Sequence, residues 1–263
     1  MKLVPFVKAT ACGNDFLLID AALMDGDRAE FTRQICDRHR GVGADGVEWL
    51  SPASPGADLD IHLINADGSH AEISGNGTRC VAAYWLSDKR PDRVTIQTDA
   101  GAKVCRLTRR ADPEFEFETE MGPATVAAPL PLALQRGEVQ GIPVTTGNPH
   151  YVMFVDEFPQ DWQTQAAEIG RHPHFPQGVN VELVKVLGPG AIEIRIFERG
   201  AGETQSSGTG SCASAVAAVA TGRAESPVEV RAPGGPQTVR WDNGQITLRG
   251  PVRLICRGEF LWA

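Results

Sequence analysis

Apolar and polar positions along the chain predict many short strands and a few helices. Between Ile192 and Ile196 every second residue is isoleucine and the residues between are charged, which is typical of a half-buried strand. Two turn sequences, Asp99-Ala100-Gly101 and Asp242-Asn243-Gly244, each separate two strand-like runs, which is typical of β-hairpins. Apolar residues at helical spacing predict helices over 29–40, 78–87, 162–171 and 211–221. Many strands with few helices predict an α+β fold.

The same order of elements occurs twice along the chain. Asn14 and the apolar run that follows it recur 134 residues later as Asn148 and a second apolar run. Further pairs share an offset of 133 or 134 residues: Arg38 and Arg171, Glu48 and Glu182, Ser74 and Ser207. A constant offset of about half the chain predicts a duplicated domain. We therefore expect two pseudo-symmetric α/β halves, 1–120 joined by the tail 252–263, and 121–251.

Composition narrows the class of protein. The chain has 263 residues, of which 42% are hydrophobic, and this is enough for a large core. A net charge of -8 and a pI of about 5.3 argue against nucleic-acid binding, which needs clustered Lys and Arg. No apolar run reaches the ~18 residues that span a bilayer, and the first residues lack a signal-peptide pattern. We expect a soluble cytoplasmic protein that contacts no membrane.

Six cysteines are spread along the chain, at positions 12, 36, 80, 105, 212 and 256. None forms a Cys-x-x-Cys pair or a zinc-like cluster with histidine, so the spacing predicts neither a metal site nor a disulfide framework. We expect reduced thiols that pack as small buried hydrophobic residues.

A Ser-Gly element stands directly before an Ala-rich helix in each half. The two sequences are Ser74-Gly75-Asn76-Gly77-Thr78 and Ser207-Gly208-Thr209-Gly210-Ser211. Glycine lets a ligand approach the backbone closely, and the start of a helix attracts anions such as carboxylates. Taken singly, each serine is explained as a helix N-cap. Their recurrence at matching positions favours a paired ligand site, and neither element is a P-loop, because no Gly-Lys-Ser/Thr follows.

Polar side chains also gather at predicted strand ends. They are Asn14, Asn65, Asn148, Asn180 and the pair Glu198-Arg199. Each alone is explained as a turn residue or as ordinary exposed charge. Their order along the chain, combined with the two Ser-Gly elements, is far more specific.

Together these residues resemble the diaminopimelate epimerase family. The strings that carry the resemblance are Gly13-Asn14-Asp15-Phe16, Asn65-Ala66-Asp67-Gly68-Ser69, Gly75-Asn76-Gly77-Thr78-Arg79-Cys80, Gly147-Asn148-Pro149-His150 and Glu198-Arg199-Gly200-Ala201-Gly202-Glu203-Thr204. They run in order along nearly the whole chain. The resemblance implies two similar α/β domains with the active site in the cleft between them, a homodimer, and catalysis that uses neither a metal nor pyridoxal phosphate.

The resemblance also implies roles for individual residues. Two cysteines of the family act as base and acid on opposite faces of the substrate α-carbon, and their positions are occupied here by Ser74 and Ser207. Amides of Gly75-Asn76 and Gly208-Thr209 are expected to hold the reacting carboxylate. The residues expected to hold the distal amino-acid end are Asn14, Asn65, Asn148, Asn180, Glu198 and Arg199. A glutamine that often contacts substrate is replaced by Gly46.

The serine pair is the main departure from the family. A serine hydroxyl is a far weaker acid than a thiol and needs a neighbouring base. Neither motif contains an obvious base, although His70, Glu72 and Glu203 are near in sequence. Cys80 and Cys212 fall within the helices that follow, where we expect them to pack inward.

The sequence therefore predicts an epimerase that inverts an amino-acid α-carbon, with the conversion of LL- to meso-diaminopimelate for lysine and peptidoglycan synthesis as the expected reaction. Other interpretations stay open. The chain could be a catalytically silent amino-acid-binding homologue, or carry Cys-to-Ser replacements made to trap a substrate. It could also be a hydroxy-amino-acid dehydratase or a racemase of another amino acid, such as histidine.

Overall fold

The computed structural model describes residues 2–88 and 91–262. Met1, the first residue of the predicted half 1–120, and Ala263, the last residue of the predicted tail 252–263, lie outside the described residues. The chain divides into two compact units, residues 1–119 with 250–263, and residues 120–249. The chain passes between the units within two long strands, Glu114–Pro123 and Gln245–Trp262.

The first unit contains a closed barrel and two helices. The helices are α1 (Arg28–Cys36) and α2 (Gly75–Leu86). The strands are β1 (Lys2–Ala11), β2 (Asn14–Asp20), β3 (Gly46–Ser51), β4 (Leu59–Asn65), β5 (His70–Ala71), β6 (Arg93–Thr98), β7 (Gly101–Ala111) and β8 (Glu114–Pro123). Eight strands pair in a ring: β1, β2, β3, β4, β6, β7, β8 and β18 (Gln245–Trp262).

The second unit repeats this order of elements. Its helices are α3 (Trp162–Gly170) and α4 (Gly208–Ala220). Its strands are β9 (Thr125–Val126), β10 (Leu130–Leu134), β11 (Gly137–Thr145), β12 (Pro149–Phe154), β13 (Asn180–Gly188), β14 (Ala191–Glu198), β15 (Gly202–Thr204), β16 (Val228–Ala232) and β17 (Gly235–Asp242). The pairing runs β9–β11–β12–β13–β14–β16–β17–β18.

The Ala-rich helices are buried in the cores of the two units. In α2, Cys80 to Ala83 pack with apolar residues of β1, β4 and β6. In α4, Cys212 to Ala218 pack with the isoleucines of β14 and with valines of β16. Small side chains let each helix lie close to the surrounding strands, so both helix starts are held in a fixed position.

The register of the strands relates the two units residue by residue. β2 and β3 are parallel, and Phe16 lies opposite Gly46. β12 and β13 are also parallel, and His150 lies opposite Asn180. Phe16 and His150 thus occupy equivalent positions in the two units.

The predicted α+β class is confirmed only in part, because strands dominate both units. Predicted helix bounds also shift. α1 ends at Cys36 rather than residue 40, because the Asp37 carboxylate accepts hydrogen bonds from the amides of His39 and Arg40 and closes a separate turn. α2 and α4 begin three residues earlier than predicted, because the two Ser-Gly elements form their first turns.

Five of the six cysteines are buried, as predicted, and all six are free thiols. The expectation is wrong for Cys256, which is exposed on β18 opposite Lys8 of β1. Among the described residues, no helix combines the length and apolar character needed to cross a membrane.

Candidate active site

Ser74 caps the first turn of α2. Its backbone is extended, and its Oγ accepts a hydrogen bond from Gly77 N at 3.1 Å. The carbonyl of Ser74 accepts from both the amide and the hydroxyl of Thr78, each at 2.8 Å. Gly75, Asn76 and Gly77 are buried within this turn, while Ser74 stays partly exposed. The N-cap interpretation is therefore correct locally, and it positions the serine hydroxyl at the helix start.

Ser207 caps α4 in the same way. Its Oγ accepts from Gly210 N at 3.2 Å and lies 3.5 Å from the hydroxyl of Thr209. Gly208 is buried, and only 8% of Ser207 is exposed. A helix start attracts anions because its first amides have no partner within the helix. Each unit thus presents a serine hydroxyl beside a turn suited to a carboxylate.

In the first unit, Asn14 is held at the start of α2. Its side-chain oxygen accepts from the Asn76 amide at 3.4 Å, and its own amide donates to the Asp45 carboxylate. Arg38 donates to Asp45 and to Asp15, in both cases at 2.7 Å. Burial would raise the pKa of Asp15, but its bonds to Arg38 and Lys8 outweigh burial and hold the pKa below its usual value.

In the second unit, a chain of polar contacts runs from the barrel strands to Ser207. His150 Nδ1 lies 2.7 Å from Oε1 of Glu182, and its Nε2 lies 2.8 Å from the side-chain oxygen of Asn148. The amide of Asn148 donates to the hydroxyl of Thr209 at 3.3 Å. Neither the His150 nor the Glu182 side chain is exposed to solvent, and burial raises the pKa of Glu182 although His150 partly offsets this.

Of three other predicted site residues, Asn180 and Arg199 bond backbone groups and Asn65 bonds a side chain. Asn180 donates to the carbonyl of Pro149 at 3.1 Å and accepts from the amide of Arg199 at 2.9 Å. The Arg199 guanidinium is exposed and donates to the carbonyl of Gln177. Asn65, in the first unit, donates to the hydroxyl of Ser69 within its own turn. Asn180 therefore joins the turn after β14 to the start of β12, close to Asn148.

Glu198, the last residue of β14, brings a carboxyl to Ser207, a neighbour that the order of residues in the sequence did not reveal. Although part of Glu198 is exposed, burial of its carboxyl raises its pKa, and hydrogen bonding from the Ser207 hydroxyl partly offsets that rise. The glutamate near in sequence, Glu203, instead is exposed and accepts a hydrogen bond from Gln163. Because a serine needs a neighbouring base, this contact changes what Ser207 can do.

Glu48 is a buried carboxyl at the start of α2. It lies on β3, is 1% exposed, and neither of its oxygens has a hydrogen-bond partner among the described residues. A Cβ atom placed on Gly77 would stand 1.9 Å from Oε1 of Glu48 and 3.2 Å from Cβ of Ser74. Burial, and secondarily the charge of Asp99, raises the pKa of Glu48 to about 8. The recurrence of Glu48 and Glu182 was the signal in the sequence that could have identified both.

Because Glu48 holds its proton in the folded state, we expect stability to depend on pH. Between about pH 5 and about pH 8 the unfolded chain loses this proton and the folded chain keeps it. The free energy of unfolding should therefore fall as pH rises, relative to that of E48Q, by at most roughly 1.4 kcal/mol per pH unit. Urea unfolding of both proteins across this range measures the difference, and a constant difference would show that Glu48 is not protonated.

Other reactive side chains have local explanations. Cys80 and Cys212 are fully buried within the two helices, and burial raises the pKa of the Cys80 thiol. His62 and His70 both bond the Asp99 carboxylate on the surface of the first unit, and the three ligand atoms lie within 4.8 Å of one another. This group has suitable donors for a cation, but the mutual hydrogen bonds account for its arrangement.

Comparison with known proteins agrees with the geometry. Residues 6–127 and 142–255 match the family model described as "Diaminopimelate epimerase". The chain is 37% identical to the diaminopimelate epimerase of Pelotomaculum thermopropionicum, with 97% of this chain and 98% of that protein covered. It is 36% identical to diaminopimelate epimerase 1 of a Nostoc species, with 97% and 99% covered.

Solved structures share the fold at lower sequence identity. A Bacillus anthracis phenazine biosynthesis protein of the PhzF family has a TM-score of 0.77 and 16% identity over the full length of both chains. A probable proline racemase from Agrobacterium radiobacter has a TM-score of 0.76 and 18% identity, with 99% and 93% covered. These structures show the shared fold, and the family match defines the class, an isomerase of the amino-acid epimerase type. The chain belongs to the diaminopimelate epimerase family.

Proposed function

We propose that this protein epimerises an amino acid without pyridoxal phosphate, with LL-diaminopimelate as substrate and meso-diaminopimelate as product. Ser74 and Ser207 carry the proton on opposite faces of the α-carbon. The observation that carries the proposal is the equivalence of the two helix starts. Each has a serine hydroxyl on its first turn and a buried glutamate beside the third residue of that turn.

The helix starts suit the carboxylate next to the reacting carbon. Removal of the α-proton leaves an electron pair that spreads onto this carboxylate. Backbone amides and the positive end of a helix stabilise negative charge that develops there. Gly75 and Asn76 of α2, together with Gly208 and Thr209 of α4, are the residues that supply such amides in this proposal.

The side chains beside the serines support proton transfer by hydroxyl groups. At Ser207, the raised pKa of Glu198 makes its carboxylate a stronger base than an exposed glutamate. The carboxylate accepts the hydroxyl proton while the serine oxygen takes the proton from carbon. Asn14, Asn65, Asn148, Asn180 and Arg199 are then assigned to the distal amino-acid end of the substrate, together with the part of Glu198 that stays exposed.

A turnover assay with several amino acids tests this function. The purified protein is incubated with LL-diaminopimelate, L-histidine and L-proline, and the stereoisomers are separated by chiral chromatography. We expect meso-diaminopimelate from the first and no inversion of the others. Inversion of another amino acid would correct the substrate. Calorimetric binding of diaminopimelate without turnover would instead indicate a silent binding protein, and release of water from a hydroxylated amino acid would indicate a dehydratase.

A further inference from the structure

Glu48 and Glu182 occupy equivalent positions, and only one of them has a partner. Both are buried on the third residue of their strands, β3 and β13, and both face the third residue of a Ser-capped helix. Oε1 of Glu182 is bound to His150, whereas both oxygens of Glu48 are unpartnered among the described residues. The strand register explains this difference, because the position equivalent to His150 is Phe16, which cannot form a hydrogen bond.

A second difference concerns the base beside each serine. In the second unit Val181 lies opposite Phe197, which places Asn180 level with Glu198 at the strand ends. In the first unit Gly46 lies opposite Asn65. Asn65 is thus the equivalent of Glu198, and an amide cannot accept a proton as a carboxylate does. Ser74 therefore lacks the kind of base that Ser207 has.

We infer that Glu48 is the proton-relay residue for Ser74. Its carboxyl exchanges a proton with the Ser74 hydroxyl, as the Glu198 carboxyl does with Ser207 in the proposed function. This inference rests on the proposed function. Its geometric basis is the shared neighbour Gly77, whose amide donates to Ser74 Oγ at 3.1 Å, while a Cβ atom placed on Gly77 would stand 1.9 Å from Oε1 of Glu48. A buried carboxyl without a hydrogen-bond partner lowers the stability of the fold. Its position at the first turn of a helix therefore calls for an explanation, and a function there supplies one.

The proton moves in two coupled transfers. When Ser74 acts as the base, the bond between the α-carbon and its hydrogen breaks and that proton goes to Ser74 Oγ. The hydroxyl proton of Ser74 goes to the Glu48 carboxylate, and the electron pair remains on the substrate. In the opposite direction the Glu48 carboxylic acid returns a proton to Ser74 Oγ, and the hydroxyl proton of Ser74 goes to the carbon.

Burial is the main reason that Glu48 favours its neutral form, and the charge of a neighbouring group adds to it. Asp99 acts on it by charge from the turn between β6 and β7, and Asp99 is itself held by His62 and His70. From α2, Cys80 is a buried neutral thiol, and Arg79 is directed to the carbonyl of Gly75 and to Asn76. Glu48 is thus a carboxylic acid that can donate a proton at neutral pH, and it becomes a carboxylate that can accept one as pH rises toward 8.

The test combines E48Q with S74C. Glutamine keeps the size of the side chain but cannot exchange a proton, so E48Q should lower kcat for diaminopimelate epimerisation by about 100-fold. A thiol is acidic enough to carry the proton alone. S74C should therefore rescue E48Q, and kcat of S74C/E48Q should lie within about tenfold of kcat of S74C. If E48Q lowered kcat equally in both backgrounds, Glu48 would be only structural.

Two further variants control for folding and burial. Thr32, in the first unit, is fully buried, and its hydroxyl, like the Glu48 carboxyl, has no hydrogen-bond partner among the described residues. T32V removes this hydroxyl and should leave kcat unchanged. E48D keeps a carboxyl that can exchange a proton, so it should retain activity that E48Q loses. For wild type and E48D, kcat/KM should rise with pH up to about 8 in one direction of the reaction. A wild-type profile without this rise would overturn the inference, and this measurement does not depend on the folding of any variant.

Failure of this inference differs from failure of the proposed function. If wild-type protein turns over and E48Q matches it at every pH, the epimerase function stands and Glu48 has no part in it. If wild-type protein inverts no amino acid, the proposed function fails and the inference falls with it.

Discussion

Replacement of Ser207 by alanine is expected to abolish epimerisation, with a loss of about 1000-fold in kcat. In the proposed mechanism this hydroxyl carries the proton on one face of the α-carbon, and Glu198 acts only through it. Loss of a properly placed acid–base group costs about 100-fold to about 10,000-fold in rate. S74A should lose as much, because inversion needs both faces. Steady-state assays with LL-diaminopimelate measure both effects.

The serines are also helix caps, so folding needs its own control. Alanine at an N-cap costs about 1 kcal/mol, whereas asparagine still caps the helix. S207N should therefore be as stable as wild type and as inactive as S207A. S214A provides a matched control, because Ser214 is a buried serine of α4 without a side-chain partner among the described residues. Full activity in S207N or S207A would remove Ser207 from the mechanism.

Replacement of His150 by leucine should cause the largest loss of stability. His150 is the partner of Glu182, and both side chains are completely buried. Leucine would leave Glu182 with no partner for either oxygen, since Oε2 has none among the described residues. Removal of one member of a buried pair costs about 3 kcal/mol or more, while apolar replacement of both members is often neutral.

Urea unfolding of H150L and of H150L/E182L measures this effect. The single variant should lose about 3 kcal/mol, and the double variant should recover most of it. Equal stability of H150L and wild type would show that the pair contributes little to the second unit. Failure of the double variant to recover would assign the loss to packing around His150 instead.

Much of the secondary structure could be predicted from the sequence, because it depends on local patterns. The alternating isoleucines fall within β14, and the hairpin turns at Asp99-Ala100-Gly101 and Asp242-Asn243-Gly244 separate strands as expected. The offset of 133 or 134 residues revealed two matching series of elements. Helix starts were predicted too late, because Gly-rich sequence is unfavourable for a helix unless a cap and tertiary packing support it.

The environment of the serines could not be predicted, because it depends on contacts between distant segments. Glu198 reaches Ser207 from the end of β14, and Glu48 reaches the start of α2 from β3. The glutamates near in sequence, Glu72 and Glu203, are both exposed. Proximity along the chain therefore pointed to exposed carboxyls, while strand pairing brought two more buried carboxyls to the helix starts.

We propose that a serine pair moves a proton on and off the α-carbon. Incubation of the protein with LL-diaminopimelate in heavy water, followed by NMR and chiral chromatography, tests it most directly. We predict that meso-diaminopimelate accumulates with deuterium at one α-carbon, because the proton returned comes from the solvent-exchanged side chain on the opposite face. Diaminopimelate that binds but remains in the LL form, without deuterium at either α-carbon, would contradict proton transfer by the serine pair.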